Sequence, residues 1–218
     1  MSREIKTFQS NVIPATFRDD LNDSSIHSAW TQDIVDVTGP DPTIAEDGTS
    51  LTISYVGGQS QNVYWNTETA PCVRIRLHPL DFTAKVYVSN VLTTASQSGG
   101  IVHFRTSNKD NYNLVALKND GGNPYMFGSI GGNTNNVMLT SETELWVALT
   151  RRNSVIRMCY STNDLSNEPD INSMTYVYVD DHPGTYHDWQ IGLFAESYSV
   201  GYPAIDIKFQ KFSLVYHM

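Results

Sequence analysis

Apolar and polar residues alternate along most of this chain, and helical periodicity is nearly absent. The segment Leu51-Thr52-Ile53-Ser54-Tyr55-Val56 alternates and stops at Gly57-Gly58, which predicts a strand followed by a turn. Val73-Arg74-Ile75-Arg76-Leu77 alternates apolar with basic residues, so one face is expected in a core and the other in water. Residues 82–88 repeat that pattern. Residues 101–105 and 112–117 flank the polar turn Ser107-Asn108-Lys109-Asp110-Asn111 and predict a hairpin. Residues 144–150 and 154–160, joined by Arg151-Arg152-Asn153, predict a second. Residues 119–124 and 131–136 read as turns because they concentrate Gly, Asn, Asp and Pro. Residues 164–173 have room for a short helical turn at most.

The end of the chain carries a change of parity. Ile205, Ile207 and Phe209 share one parity, whereas Phe212 and Leu214 share the other. A bulge near Gln210-Lys211 would return all five to one face. The opening segment Pro14-Ala15-Thr16-Phe17-Arg18-Asp19-Asp20-Leu21 is a natural partner for this closing strand. The expected fold is all-β, a two-sheet antiparallel sandwich of jelly-roll type. Residues 1–13 read as an N-terminal arm and residues 14–218 as one domain, since no linker or repeat divides them.

Composition narrows the partners more than the chemistry. The 14 basic against 23 acidic residues give a net charge of −9. With no Lys/Arg cluster to offset it, this argues against nucleic acid and anionic membranes, both of which need a basic face. No segment approaches the roughly 18 apolar residues of a membrane span. Residues 1–7 lack the apolar core of a signal peptide. The expected location is a virion or an extracellular surface reached by another route, and otherwise the cytoplasm. The two cysteines, Cys72 and Cys159, lie in predicted strands without zinc-ligand spacing. Either they are two buried free thiols or they form one disulfide between neighbouring strands, which geometry decides.

A resemblance emerges from the order of the segments. It runs from Phe17-Arg18-Asp19-Asp20-Leu21 and Trp30, through Gly99-Gly100-Ile101-Val102-His103-Phe104 and Asn111-Tyr112, to Leu145-Trp146-Val147-Ala148-Leu149-Thr150-Arg151. Tyr160-Ser161-Thr162-Asn163, Ile191-Gly192-Leu193-Phe194 and the closing strand complete it. In this order the chain resembles the concanavalin A-like lectin/glucanase superfamily, with laminin-G-like domains and the sandwiches appended to some glycoside hydrolases as its nearest branches. The resemblance implies a curved jelly roll that binds glycan or protein, sometimes with a structural calcium. It does not by itself imply catalysis.

The candidate chemistry is that of binding. The superfamily's hydrolases would require acidic residues alternating on one strand, and no strand carries a Glu-x-Asp-x-x-Glu pattern. Glu142 and Glu144 read as a solvated approach to a strand, and Asp180-Asp181-His182 as a polar turn. Glycan binding needs exposed rings beside hydrogen-bonding side chains. Trp65 and Tyr64 follow a polar run, Tyr112, Tyr125 and Tyr186 adjoin polar turns, and Arg74, Arg76 and Arg105 could donate to hydroxyls. Trp146 and Trp189 lie in apolar patterns and are expected in a core, and Trp30 under the first turn. Asp19 or Asp20 on the first strand and Asp206 on the last could hold a structural Ca²⁺ if those strands pair, or simply charge an edge against aggregation. His182 and His187 are close in sequence but too few for a metal site. The expected function is a non-catalytic carbohydrate-binding or adhesion domain. The alternative is a structural virion protein, a phage decoration or tail component, forming homo-oligomers or contacting other virion subunits. A glycan hydrolase or lyase comes third.

Overall fold

The computed structural model describes residues 16–33, 42–55, 70–89, 91, 96–104, 112–120, 122–130, 133–162, 166–181, 190–197 and 204–217. Their strands form two sheets. Sheet A contains β1 (Thr16–Asp19), β3 (Thr43–Glu46), β4 (Leu51–Tyr55), β6 (Asp81–Ser89), β11 (Leu145–Arg152), β12 (Val155–Ser161), β13 (Thr175–Asp181) and β15 (Ile205–His217). Sheet B contains β2 (Thr31–Asp33), β5 (Cys72–Arg76), β7 (Ser96–Phe104), β8 (Tyr112–Asp120), β9 (Pro124–Ile130), β10 (Asn133–Met138) and β14 (Gln190–Ser197). Sheet A runs β13-β12-β11-β6-β15-β4-β3, with β1 also on β15; sheet B runs β10-β9-β8-β7-β14-β5-β2. Neighbouring strands pair antiparallel throughout. No described helix is long and apolar enough to cross a membrane.

The alternation explains the layering. Inward residues of sheet A, such as Ala84, Val86, Val147, Leu149, Ile207 and Phe209, meet inward residues of sheet B, such as Val73, Ile75, Ile101, Val115, Leu117 and Leu193, in one buried core. The central strands contribute every second residue to it.

The closing strand behaves as its parity requires. Before the bulge β15 pairs with β4, from Ile205↔Tyr55 to Phe209↔Leu51. After it the same edge pairs with β1, from Phe212↔Asp19 to Val215↔Thr16. The register against β6 shifts between Gln210 and Ser213, and Lys211 takes a left-handed backbone with φ 53°. Its N–H donates to the Asp20 carbonyl at 3.3 Å. Phe209, Phe212 and Leu214 are thereby all buried.

Several elements depart from the alternation. Asn133-Thr134-Asn135-Asn136, which reads as a turn, lies in β10, a mostly exposed edge strand paired with β9. Asp180 and Asp181 lie in β13 rather than in a turn. Strand β9 is buried at every position, so it has no alternation to recognise. The second hairpin forms as expected, but Arg151 and Arg152 belong to β11, and Asn153-Ser154, both with positive φ, make the two-residue turn. Residues 1–13 lie outside the described residues. Cys72 and Cys159 are buried free thiols on the outer faces of opposite sheets, which excludes a bridge between them. Burial pushes the Cys159 thiol up to about 12.

Trp30 packs where the first turn requires it, edge-on against Phe212 with ring centroids 4.9 Å apart. The Asp19 carboxylate fixes it by accepting the indole Nε1–H at 2.8 Å and the Leu21 N–H at 2.9 Å. Beside this corner the carboxyl oxygens of Glu46 are shielded from water. Desolvation, then the neighbouring Asp23 carboxyl and the charge of Asp19, push Glu46 up to about 7. The folded chain therefore binds a proton there that the unfolded chain releases from about pH 4.5 upward, so stability falls as pH rises from 4.5 through 7. Glu46→Gln should raise stability at pH 8 by on the order of 1 kcal/mol, after allowance for solvent screening, and change little at pH 4.5. Urea midpoints at the two pH values check this; equal midpoints at pH 8 would remove the repulsion account.

Candidate functional site

The face of sheet B turned away from the core gathers most of the sequence-predicted residues that are described. Antiparallel register sets them in rows across the strands. One row runs Tyr112, Phe104, Gln190, Arg76, and the next carries Leu114, Val102, Gly192 and Arg74. A third carries Phe127, Ala116, Gly100, Phe194 and Cys72. The fourth runs Tyr125, Lys118, Ser98, Glu196. Arg74, Arg76, Tyr112 and Tyr125 thus share one face, the arginines towards one edge of the sheet and the tyrosines on the β8–β9 side.

The centre of this face is apolar and buried, with Val102, Phe104, Leu114, Phe127 and Phe194 in one cluster against which Tyr112 packs. Polar groups frame it. The Arg74 Nη1–H donates to Gln190 Oε1 at 2.8 Å. Arg76, one row over, is exposed. The Tyr125 hydroxyl donates to Asp120 Oδ2. The Lys118 ammonium sits 5.0 Å from the centroid of the Phe127 ring. The Ser98 hydroxyl donates to Glu196 Oε1 at 2.6 Å, and both residues are buried. A buried carboxylate is costly without such donors. Gly192 leaves the row between Arg74 and Val102 without a side chain, and a Cβ there would meet the Val73 carbonyl at 2.8 Å.

Sequence reading missed Ser98, Lys118, Asp120, Gln190 and Glu196. The signal was present in parity. Lys118 and Asp120 continue the Tyr112 face of β8, and Glu196 continues the Gly192–Phe194 face of β14 two residues beyond the apolar run. Asp120 and Glu196 are two strands and two residues apart, so their backbone positions are separated by about 12 Å. Trp65, Tyr64 and Arg105, with Tyr186, Trp189, His182 and His187, lie outside the described residues.

Other predicted residues go elsewhere. Trp146 is fully buried, but on the outer face of sheet A, in a small cluster with Tyr87, Ala148, Cys159 and Met174. Glu142 caps the turn before β11, accepting N–H groups of Thr140 and Ser141, and these bonds hold its carboxyl below the usual range. Asp20 and Asp206 are not brought together. Asp20 contacts Lys211 through its backbone, whereas Asp206 faces Ser54 five residues earlier on β15, about 16 Å away along the strand. Among the described residues no group of three or more His, Cys, Asp or Glu side chains is placed to hold a metal ion.

No protein-family model and no curated protein sequence matches the chain. Solved structures do. The Bacteroides ovatus xyloglucan-locus protein GH43B aligns with TM-score 0.65 and 15% identity, over 92% of this chain and 39% of that one. The Bacillus licheniformis β-glucanase aligns with TM-score 0.58 and 9% identity, over 93% and 98%. The carbohydrate recognition domain of Emp47p aligns with TM-score 0.58 and 9% identity, over 94% and 96%. The fold is the concanavalin A-like sandwich that the segment order resembles.

Proposed function

We propose that the protein binds carbohydrate across the outer face of sheet B without catalysing its hydrolysis. The observation that carries this reading is the convergence of Arg74, Arg76, Tyr112 and Tyr125 on that face, around an apolar centre. The partly exposed Tyr112 ring offers flat apolar surface to the carbon face of a sugar, and Arg74, Arg76 and Gln190 offer donors to its hydroxyls. Asp120, exposed at the end of β8, offers an acceptor, whereas Glu196 is buried. Both carboxylates are engaged, by Tyr125 and Ser98. That favours binding over the paired acid and nucleophile of a glycosidase. Similarity of fold to a glucanase and to a carbohydrate recognition domain supports the ligand class.

A glycan array, run with calcium and again with chelator, tests the proposal. Specific binding is expected, and Arg76→Ala and Tyr112→Ala should each weaken the best ligand about tenfold, the loss of one or two good contacts. Trp65→Ala examines the ring that the sequence singles out. A calcium requirement would appear as loss with chelator. An array without specific binders, or binding indifferent to all three substitutions, would sink the assignment to this face.

A further inference from the structure

The outer face of sheet A carries a separate polar cavity. Residues 166–174 lie across this face as a strap. Lys211 Nζ donates to the Ser166 carbonyl at 2.7 Å, and Ser213 Oγ donates to Glu168 Oε1 at 2.8 Å. Lys85 Nζ donates to Glu168 Oε1 at 2.9 Å and to the Pro169 carbonyl at 2.8 Å. At the far end Met174 and Ile171 pack on Tyr87 and Trp146. Between strap and sheet opens a cavity of about 620 Å³, within the range of roughly 300–1,000 Å³ usual for small-molecule sites. Its floor includes Thr83, Lys85, Arg152 and His217, and its wall Asp170 and Asn172.

The charges in this cavity are unevenly matched. Glu168 already serves Lys85 and, at 3.4 Å, Arg18. Arg152 faces the His217 ring at 3.1 Å, and among the described residues no carboxylate is within ion-pair reach of it. Burial, then the Arg152 charge, hold His217 below the ordinary imidazole range against the opposing charge of Asp81, and the ring accepts from Arg152. The result is a guanidinium that has no ion-pair partner among the described residues, at one end of a cavity whose opposite wall presents a carboxylate and an amide. A smaller cavity of about 170 Å³ adjoins across Glu168, lined in part by Trp146, whose buried indole N–H has no acceptor among the described residues. Both features suit an oxygen-rich ligand with one negative end.

We propose that this cavity is a second binding site, for a hydroxylated carboxylate of the uronic-acid sugar type, with Arg152 on the carboxylate and Asp170 and Asn172 on the hydroxyls. The site is independent of the sheet B face. Titration calorimetry and amide NMR shifts with glucuronate, glucose and inorganic sulfate test it. Glucuronate is expected to bind at least tenfold more tightly than glucose or sulfate, with shifts on β6, β11 and residues 167–172. Arg152→Gln should weaken glucuronate at least tenfold, and Arg152→Lys should restore part of it. Equal affinity for sulfate, equal affinity for glucose, or indifference to Arg152→Gln would each overturn the proposal.

Discussion

Phe209→Ala is expected to cost about 3–5 kcal/mol of folding stability, the range for deleting a large aromatic side chain from a closed core. Phe209 is fully buried, opposite Leu51 of β4 on one side and Val88 of β6 on the other. Its ring reaches across to sheet B, where a Cβ on Gly99 would lie 3.5 Å from its tip. The side chain therefore fills space between both sheets, and backbone hydrogen bonding on three strands limits how far they can collapse into the void. Domains are typically stable by only about 5–15 kcal/mol, so the loss should be visible as a large drop in urea midpoint. A loss below about 1 kcal/mol would mean that the closing strand does not join the layers as described.

The closing strand also shows what could be read from the chain. Its parity change at Gln210-Lys211 is a purely sequential signal, and it predicted the bulge and the residues on the core face; the opening segment, read as its natural partner, predicted the pairing with the first strand. Alternation works where one face is wet. It fails for β9, buried on both faces, and for β10, whose Asn133-Thr134-Asn135-Asn136 has the composition of a turn. There the strand conformation comes from pairing with β9 and not from local preference, as β propensity depends heavily on neighbours.

The candidate face was legible residue by residue but not as a constellation. Arg74 and Arg76 announce a wet face of β5 by alternation alone, and Tyr112 and Tyr125 by their neighbouring turns. That they share a face depends on register across four intervening pairings, which no local pattern encodes. Glu196 and Ser98 were invisible for the same reason: each is an ordinary polar residue until β14 and β7 align them at 2.6 Å. The Asp20 and Asp206 expectation shows the converse. Pairing of the first and last strands was right, yet β4 occupies the stretch of β15 that carries Asp206, and β1 the stretch beyond the bulge.

Gly100→Ala is expected to be among the most damaging single-methyl additions in the protein, costing about 3 kcal/mol or more. Gly100 lies in the middle of β7, flanked by Ala116 of β8 and Phe194 of β14. A Cβ there would stand 2.6 Å from the Ala116 Cα and closer still to the Val115 carbonyl oxygen. These are backbone atoms of the neighbouring strand, so no rotamer change relieves the clash. The β7–β8 ladder must part, and with it the rows that align Tyr112 with Arg76 and Lys118 with Glu196. Stability and the proposed glycan binding should therefore fall together, unlike Arg76→Ala, which should reduce that binding alone. Gly122→Ala supplies the control, because a Cβ at that position meets nothing within 4 Å and should shift stability by less than about 0.5 kcal/mol. Thermal melts of the two variants separate the cases: if Gly100→Ala melts with Gly122→Ala, the close approach of β7 and β8 is not a constraint on the face, and the glycine there has another origin.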